Sequence, residues 1–310
     1  MNVLITGGGG LIGSKIGRTL SAGGHKTTAV DIAAGPGSGI ERASVDELHT
    51  LIRLIERDAV DVIVHLAAVL GGSSEDDPLS ASRINVMGTL NVFEAARLCN
   101  VRRVVTASSM VVFGSDGEYD GQITDDSPRI GAKRAPIYSG GKIYMEMAGE
   151  LYTERYGVTV AGLRPSVVYG PGRQSGATAF ASQLMTNPAL GKPGRVTDGD
   201  AHVNMIYIDD VADAFCALVT APDAAFAKHR FFNTGGDRCT IREIAEAVRR
   251  IIPDAQLEVE PGGAGTEVMG YPTRLSDRGL REEVGFTRRF TPIEVGVRAY
   301  VQAVREPART

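Results

Sequence analysis

The chain has few cysteines, no basic block and no long apolar run. Its three cysteines, Cys99, Cys216 and Cys239, are odd in number, far apart and lack metal-ligand spacing. That excludes a disulfide framework and a cysteine metal centre, and it predicts reduced, buried thiols in a cytoplasmic protein. Lysine and arginine are scattered and the formal net charge is -4, so no nucleic-acid surface or membrane-binding face is expected. No stretch approaches the roughly eighteen uninterrupted apolar residues of a transmembrane helix. The start, MNVLITGG, lacks the basic segment and long apolar run of a secretory signal, so it reads as a first core strand. Internal repeats and low-complexity linkers are also missing.

What is present is length and hydrophobicity. With 310 residues, 43% of them hydrophobic, the chain suffices for one large core or two unequal ones. Residues 2–6 read as a strand. The following LIGSKIGRTLSAGG puts Leu11, Ile12, Ile16 and Leu20 on one helical face, with Gly23 and Gly24 as its stop. KTTAVDI, DVIVHLAAV, RRVVTASS and TVAGLRPSVVYG read as further strands. VDELHTLIRLIERD, SRINVMGTLNVFEAARLCN and YSGGKIYMEMAGELYTERYG read as the helices between them. Nearly apolar strands separated by helices specify an α/β fold with a doubly wound parallel sheet, covered on both faces. After about Gly170 the rhythm changes, which predicts a first domain over 1–170 and, over 171–310, a smaller cap with some segments returning to the first.

The first strand ends in TGGGGLIG. Gly7, Gly10 and Gly13 lie between strand and helix, and Asp31 ends the next strand. A glycine triplet alone is a weak signal; in this strand, turn, helix, strand and acid context it is a dinucleotide-binding unit. Gly7 permits the tight turn, Gly10 lets amides approach a pyrophosphate, and Gly13 lets the helix pack on the strand. Asp31 would accept hydrogen bonds from ribose hydroxyls and repel a 2'-phosphate, so NAD is expected as cofactor.

YSGGK places Tyr138 and Lys142 four apart, on one face at the start of a helix. An unperturbed phenol, with a pKa of about 10, is a poor base at neutral pH. An ammonium one turn away stabilises the phenolate and brings it toward the working range. Upstream, Ser108 and Ser109 end a strand at the carboxyl edge of the sheet, where such folds build their sites. Successive strand residues point to opposite faces, so only one of the two hydroxyls can face a substrate.

With these motifs the chain resembles the extended short-chain dehydrogenase/reductases of the epimerase/dehydratase type, over nearly its whole length. The resemblance rests on TGGGGLIG, HLAA, NVMGT, the serine strand, YSGGK, RPSVVYGPG and MIYIDDVADA. It implies Tyr138 as catalytic acid/base, Lys142 as the residue that orients the nicotinamide ribose, and Ser109 as the catalytic serine before MVVFG. It also implies a cofactor site that includes Leu11, Ile12, Asp46, Leu66, Ala67, Ala68, Asn85 and Pro165. Relatives commonly form homodimers through the helix carrying Tyr138 and Lys142, here with Ile143, Met145, Met147 and Leu151.

Within that family PGRQSGATAFASQLMTNPALGKP resembles the corresponding loop of D-erythronate dehydrogenases, which implies a small sugar-acid substrate. Ser73 and Ser74 in LGGSSEDD, together with Ser109, Arg173 and Thr178, are the candidate contacts. That family carries Arg-Pro-Gly where this chain reads Gly170, Pro171, Gly172, so Arg173 is a shifted candidate for a carboxylate. Nucleotide-sugar 4-epimerases with tightly bound NAD are the alternative. They often hold the nucleotide with an Asn where this chain has Ser166 and with an Arg before the late strand, where this chain has Val203 and Asn204. His65 is expected to be a packed core histidine, His202 a cap-loop residue, and Asp209 and Asp210 acidic caps of a helix.

Overall fold

A computed structural model describes residues 1–35, 37–172 and 179–306. Strand β1 (Asn2–Thr6) leads into α1 (Leu11–Ala22), β2 (Lys26–Asp31), β3 (Glu41–Arg42), α2 (Leu48–Asp58) and β4 (Val62–His65). Short α3 (Gly71–Asp76) and α4 (Pro78–Ala81) follow, and a π-turn at Ser82–Gly88 runs into α5 (Thr89–Leu98). Next come β5 (Arg103–Ala107), the long α6 (Pro136–Tyr156), β6 (Thr159–Arg164) and β7 (Val167–Tyr169). The remainder comprises α7 (Ala179–Ala181), α8 (Asn187–Ala189), β8 (Gly194–Val196), β9 (His202–Tyr207) and α9 (Ile208–Thr220). It continues through β10 (Phe231–Asn233), β11 (Asp237–Thr240), α10 (Ile241–Ile251), β12 (Leu257–Val259) and α11 (Ile293–Arg305).

Seven strands form one parallel sheet in the order β10-β6-β5-β4-β1-β2-β3. The expected doubly wound α/β fold is therefore present. Alternation along the strands splits the core in two. Val3, Ile5, Val62, Val64 and Val105 join Ile16 and Leu20 of α1 on one face, while Leu4, Ile63 and Val104 join Leu51, Leu54 and Phe93 on the other. The strand order reverses between β1 and β4, and the glycine turn and the loop after β4 emerge there side by side.

TVAGLRPSVVYG, expected as one strand, is two strands in different sheets. Pro165 has no N–H to donate, and beyond it β7 joins β9 and β11 in a three-stranded sheet. The chain after residue 170 is not confined to a cap. β10 is an edge strand of the main sheet, and α9 packs on α1. Arg103, the first residue of β5 and fully buried, fastens α9 by donating to the carbonyls of Leu218 at 2.8 Å and Ala221 at 2.8 Å. Those carbonyls lie at the helix end, where no intrahelical donor remains.

Candidate active site

The glycine turn is shaped by backbone crowding. Gly7 has φ +69° and a Cβ there would stand 2.8 Å from Ala67 N; a Cβ on Gly13 would stand 2.4 Å from Gly7 O. Gly8, which the spacing argument passed over, is equally constrained, since its Cβ would meet Ala29 Cβ at 2.7 Å. The result is a surface of bare backbone at the N-terminus of α1, suited to an anion. Asp31 stands beside it, accepting from Gly9 N at 3.1 Å and Ala33 N at 3.0 Å. Leu66, Ala67 and Ala68 continue β4 beside this turn and are half-buried. Ile12 is half-buried too, whereas Leu11 is exposed and lies 3.1 Å from where Gly172 would carry a Cβ. The cradle and its acid fit a dinucleotide. Asp46 is held by Ser44 and by Arg83, which keep its carboxyl below the usual carboxylate range.

Tyr138 and Lys142 sit in the first two turns of α6, 9% and 6% exposed. Lys142 Nζ lies 5.5 Å from the Tyr138 ring centre and donates to Ala107 O at 2.6 Å. Burial pulls its pKa down to about 8, against the opposing charge of Glu146. The two serines diverge as alternation requires. Ser108 is buried and donates to Glu146 at 2.5 Å, while Ser109 is half-buried in extended backbone at the start of a 3-10 turn, Met110–Val112. Pro165 O accepts from Met110 N at 3.1 Å and so fixes that turn.

Glu146 itself was not foreseen. It is fully buried one turn beyond Lys142, and Arg164 forks onto it with two 2.8 Å bonds while Arg129 adds a third at 3.1 Å. A glutamate on the face of a helix that carries Tyr138, Lys142 and Met145 inward was the available signal, because a buried carboxylate needs partners.

Asn85 lies in the π-turn and grips the Val69 backbone from both sides, accepting from its N–H at 2.8 Å and donating to its carbonyl at 2.9 Å. Ser74 is not exposed to a substrate. It is fully buried and its hydroxyl donates to Val69 O at 2.9 Å, leaving Ser73 as the exposed member of the pair. Arg173 and Thr178 lie outside the described residues. His65 is a core histidine held between Thr6 at 2.8 Å and Thr89 at 3.0 Å, with burial and the Lys142 charge pushing its pKa down to about 3. The Thr89 hydroxyl donates to Asn85 O at 2.7 Å, so the ring must donate from Nε2 and accept at Nδ1. His202 begins β9 instead of lying in a loop. Asp209 pairs with Lys15, and Asp210 accepts from Arg289 N and Phe290 N. Neither of the two caps its own helix, whose cap residue is Tyr207.

Among the described residues no three His, Cys, Asp or Glu side chains gather as metal ligands, and no helix is long and apolar enough to cross a membrane. The sequence matches the NAD dependent epimerase/dehydratase family over residues 3–235. It is 30% identical over 294 residues to a UDP-glucose 4-epimerase of Mycolicibacterium smegmatis, spanning 89% of this chain and 88% of that one. The structure of a Thermus thermophilus UDP-glucose 4-epimerase in complex with NAD matches with TM-score 0.82 and 26% identity, over 99% of this chain and 100% of that chain. The L-threonine dehydrogenase of Phytophthora infestans matches with TM-score 0.81 and 25% identity, over 98% of each chain.

Proposed function

The chain belongs to the NAD dependent epimerase/dehydratase family of extended short-chain dehydrogenases/reductases and is an NAD-dependent enzyme; from that premise we propose that it oxidises a secondary alcohol of a small sugar acid or related polyol. One observation carries the small-substrate reading. Ser166 and Asn204, at the positions where nucleotide-sugar relatives hold a nucleotide, are buried, and both donate to this chain's own backbone. Ser166 donates to Gly235 O at 2.7 Å and Asn204 to Thr273 O at 2.9 Å. Their donors are thus engaged and not available to a nucleoside diphosphate, with Asn204 Oδ1 left buried and without a partner; Ser73 and Arg173 are the proposed contacts for a shorter polar substrate.

NAD, when bound, supplies the hydride acceptor. The first amides of α1, from Leu11 to Gly13, would receive its pyrophosphate across the turn that Gly7 and Gly10 shape, Asp31 its ribose hydroxyls, and Leu66 to Ala68 its adenosine side. Tyr138 takes the proton of the substrate hydroxyl. Lys142, still an ammonium at neutral pH, favours the phenolate this requires. Ser109 donates to the oxygen that becomes the carbonyl. Orientation and fixed charge supply the rate enhancement.

A homodimer is part of the same proposal. Ile137, Tyr144, Met147 and Leu151 form an exposed stripe on α6, with Met87 and Leu98 exposed on the neighbouring segment; Met145, by contrast, belongs to the core. The second reading, a nucleotide-sugar 4-epimerase with tightly bound NAD, is favoured by the 30% identity to the M. smegmatis epimerase. NADH formation with NAD and a panel of aldonates, uronates and free sugars tests the first. Silence across the panel, NAD retained through purification and a melting temperature raised by UDP-glucose would establish the second.

A further inference from the structure

The first turn of α6 begins without any local cap. Ala135 precedes it and has no hydrogen-bonding side chain, and Pro136 has no N–H. Ser139 N reaches Ala135 O at 2.8 Å, which leaves the amides of Ile137 and Tyr138 as the two orphan donors of that turn. Both are taken by one carboxylate from far upstream. Glu75 Oε1 accepts from Ile137 N at 3.1 Å and from Tyr138 N at 3.1 Å, with Oε2 3.4 Å from Ile137 N. An acid at a helix N-terminus also meets the positive end of the helix dipole.

Glu75 is itself held from behind. It lies in α3 next to Ser74, whose hydroxyl is bonded to Val69 O, and Asn85 grips Val69 through both its N–H and its carbonyl. A continuous set of bonds therefore runs from the π-turn through α3 to the backbone of Tyr138. The long α6 keeps its fold by burying Tyr138, Lys142, Met145 and Ala148, so one exposed-end cap contributes little to holding it together. What the cap fixes is the position of one residue.

We propose that Glu75 is a positioning residue for Tyr138, its carboxylate holding the first turn of α6 where the Tyr138 ring lies beside Lys142, so that the loop after β4 and the reacting group move as one unit. The inference rests on the assignment of Tyr138 as the proton acceptor. A misplacement of about 1 Å at such a group costs on the order of 100-fold in rate.

The test compares Glu75→Ala with Glu75→Gln, which keeps an acceptor oxygen without the charge. In Glu75→Ala the amides of Ile137 and Tyr138 should exchange hydrogen at least about tenfold faster, and kcat should fall at least about tenfold. KM and NAD affinity should stay within about twofold, and the melting temperature should fall by no more than about 4 °C. Glu75→Gln should restore exchange protection and kcat to within about threefold of the natural chain. Unchanged exchange at these amides, faster exchange with unchanged kcat, or an effect confined to KM would each overturn the proposal, the last by making Glu75 a substrate contact. If no substrate of either class is turned over by the natural chain, the proposed function falls, and Glu75 is judged by exchange at the two amides alone.

Discussion

The glycine turn and the corner where α6 meets β5 both lie at the carboxyl edge of the main sheet, yet they are held in different ways. At the turn the constraint is backbone against backbone: Gly13 abuts Gly7 O and Gly7 abuts Ala67 N, all within atoms that no rotamer change can move. At the corner the constraint is side chain to backbone and side chain to side chain, drawn from residues remote in sequence: Glu75, Arg129 and Arg164 around Tyr138, Lys142 and Glu146. A cofactor site can be built from local geometry. A reacting group has to be aligned from several directions, so its support arrives by tertiary contact.

The largest effect expected on the corner is loss of chemistry without loss of the turn. Tyr138→Phe should lower kcat at least about 100-fold while NAD affinity, followed by ligand-induced thermal shift, stays within about threefold; retained turnover would remove Tyr138 from the reaction. Next comes the buried charge. Glu146→Gln leaves Arg164 without its fork partner and should destabilise the fold by about 3 kcal/mol, read from denaturant unfolding. An unchanged midpoint would mean that the arginines find other partners. The turn should respond differently: Gly13→Ala forces a methyl onto Gly7 O, with an expected loss of about 1–3 kcal/mol and a weakened NAD affinity.

The smallest effect is in pH. Because burial brings the Lys142 pKa down to about 8, proton loss above that value removes the charge that favours the phenolate, so oxidation should slow as pH rises through about 8. Lys142→Arg, which stays charged, should run at a lower plateau without that alkaline fall; a limb that persists in this variant would have another origin.

The legible part of the site was the part written in local spacing. Strand, glycine turn and helix were readable because φ +69° at Gly7 and the close approach at Gly13 admit little else. Tyr138 and Lys142 were readable because four residues make one turn. Alternation required that only one of Ser108 and Ser109 face a substrate and the family resemblance singled out Ser109; Ser108 does point to Glu146. Ser74 was misread as a possible contact because nothing local distinguishes it from Ser73; only the fold buries it under Val69. Asp210 was misread as a cap of its own helix because the residues it binds, Arg289 and Phe290, lie far downstream.

The sequence by itself determined the alternation of strands and helices, the nucleotide turn with its acid, and the placing of Tyr138 and Lys142 one helical turn apart, because each depends on periods of two or four residues or on a glycine no other residue can replace. The tertiary structure decided which serine of each pair is buried, how Glu75 and Glu146 brace α6, and which later segments return to the first domain, β10 as an edge strand of its sheet and α9 against α1. Those outcomes depend on which distant donors and acceptors meet once the core closes, and a buried polar group takes whichever partner the packing brings to it.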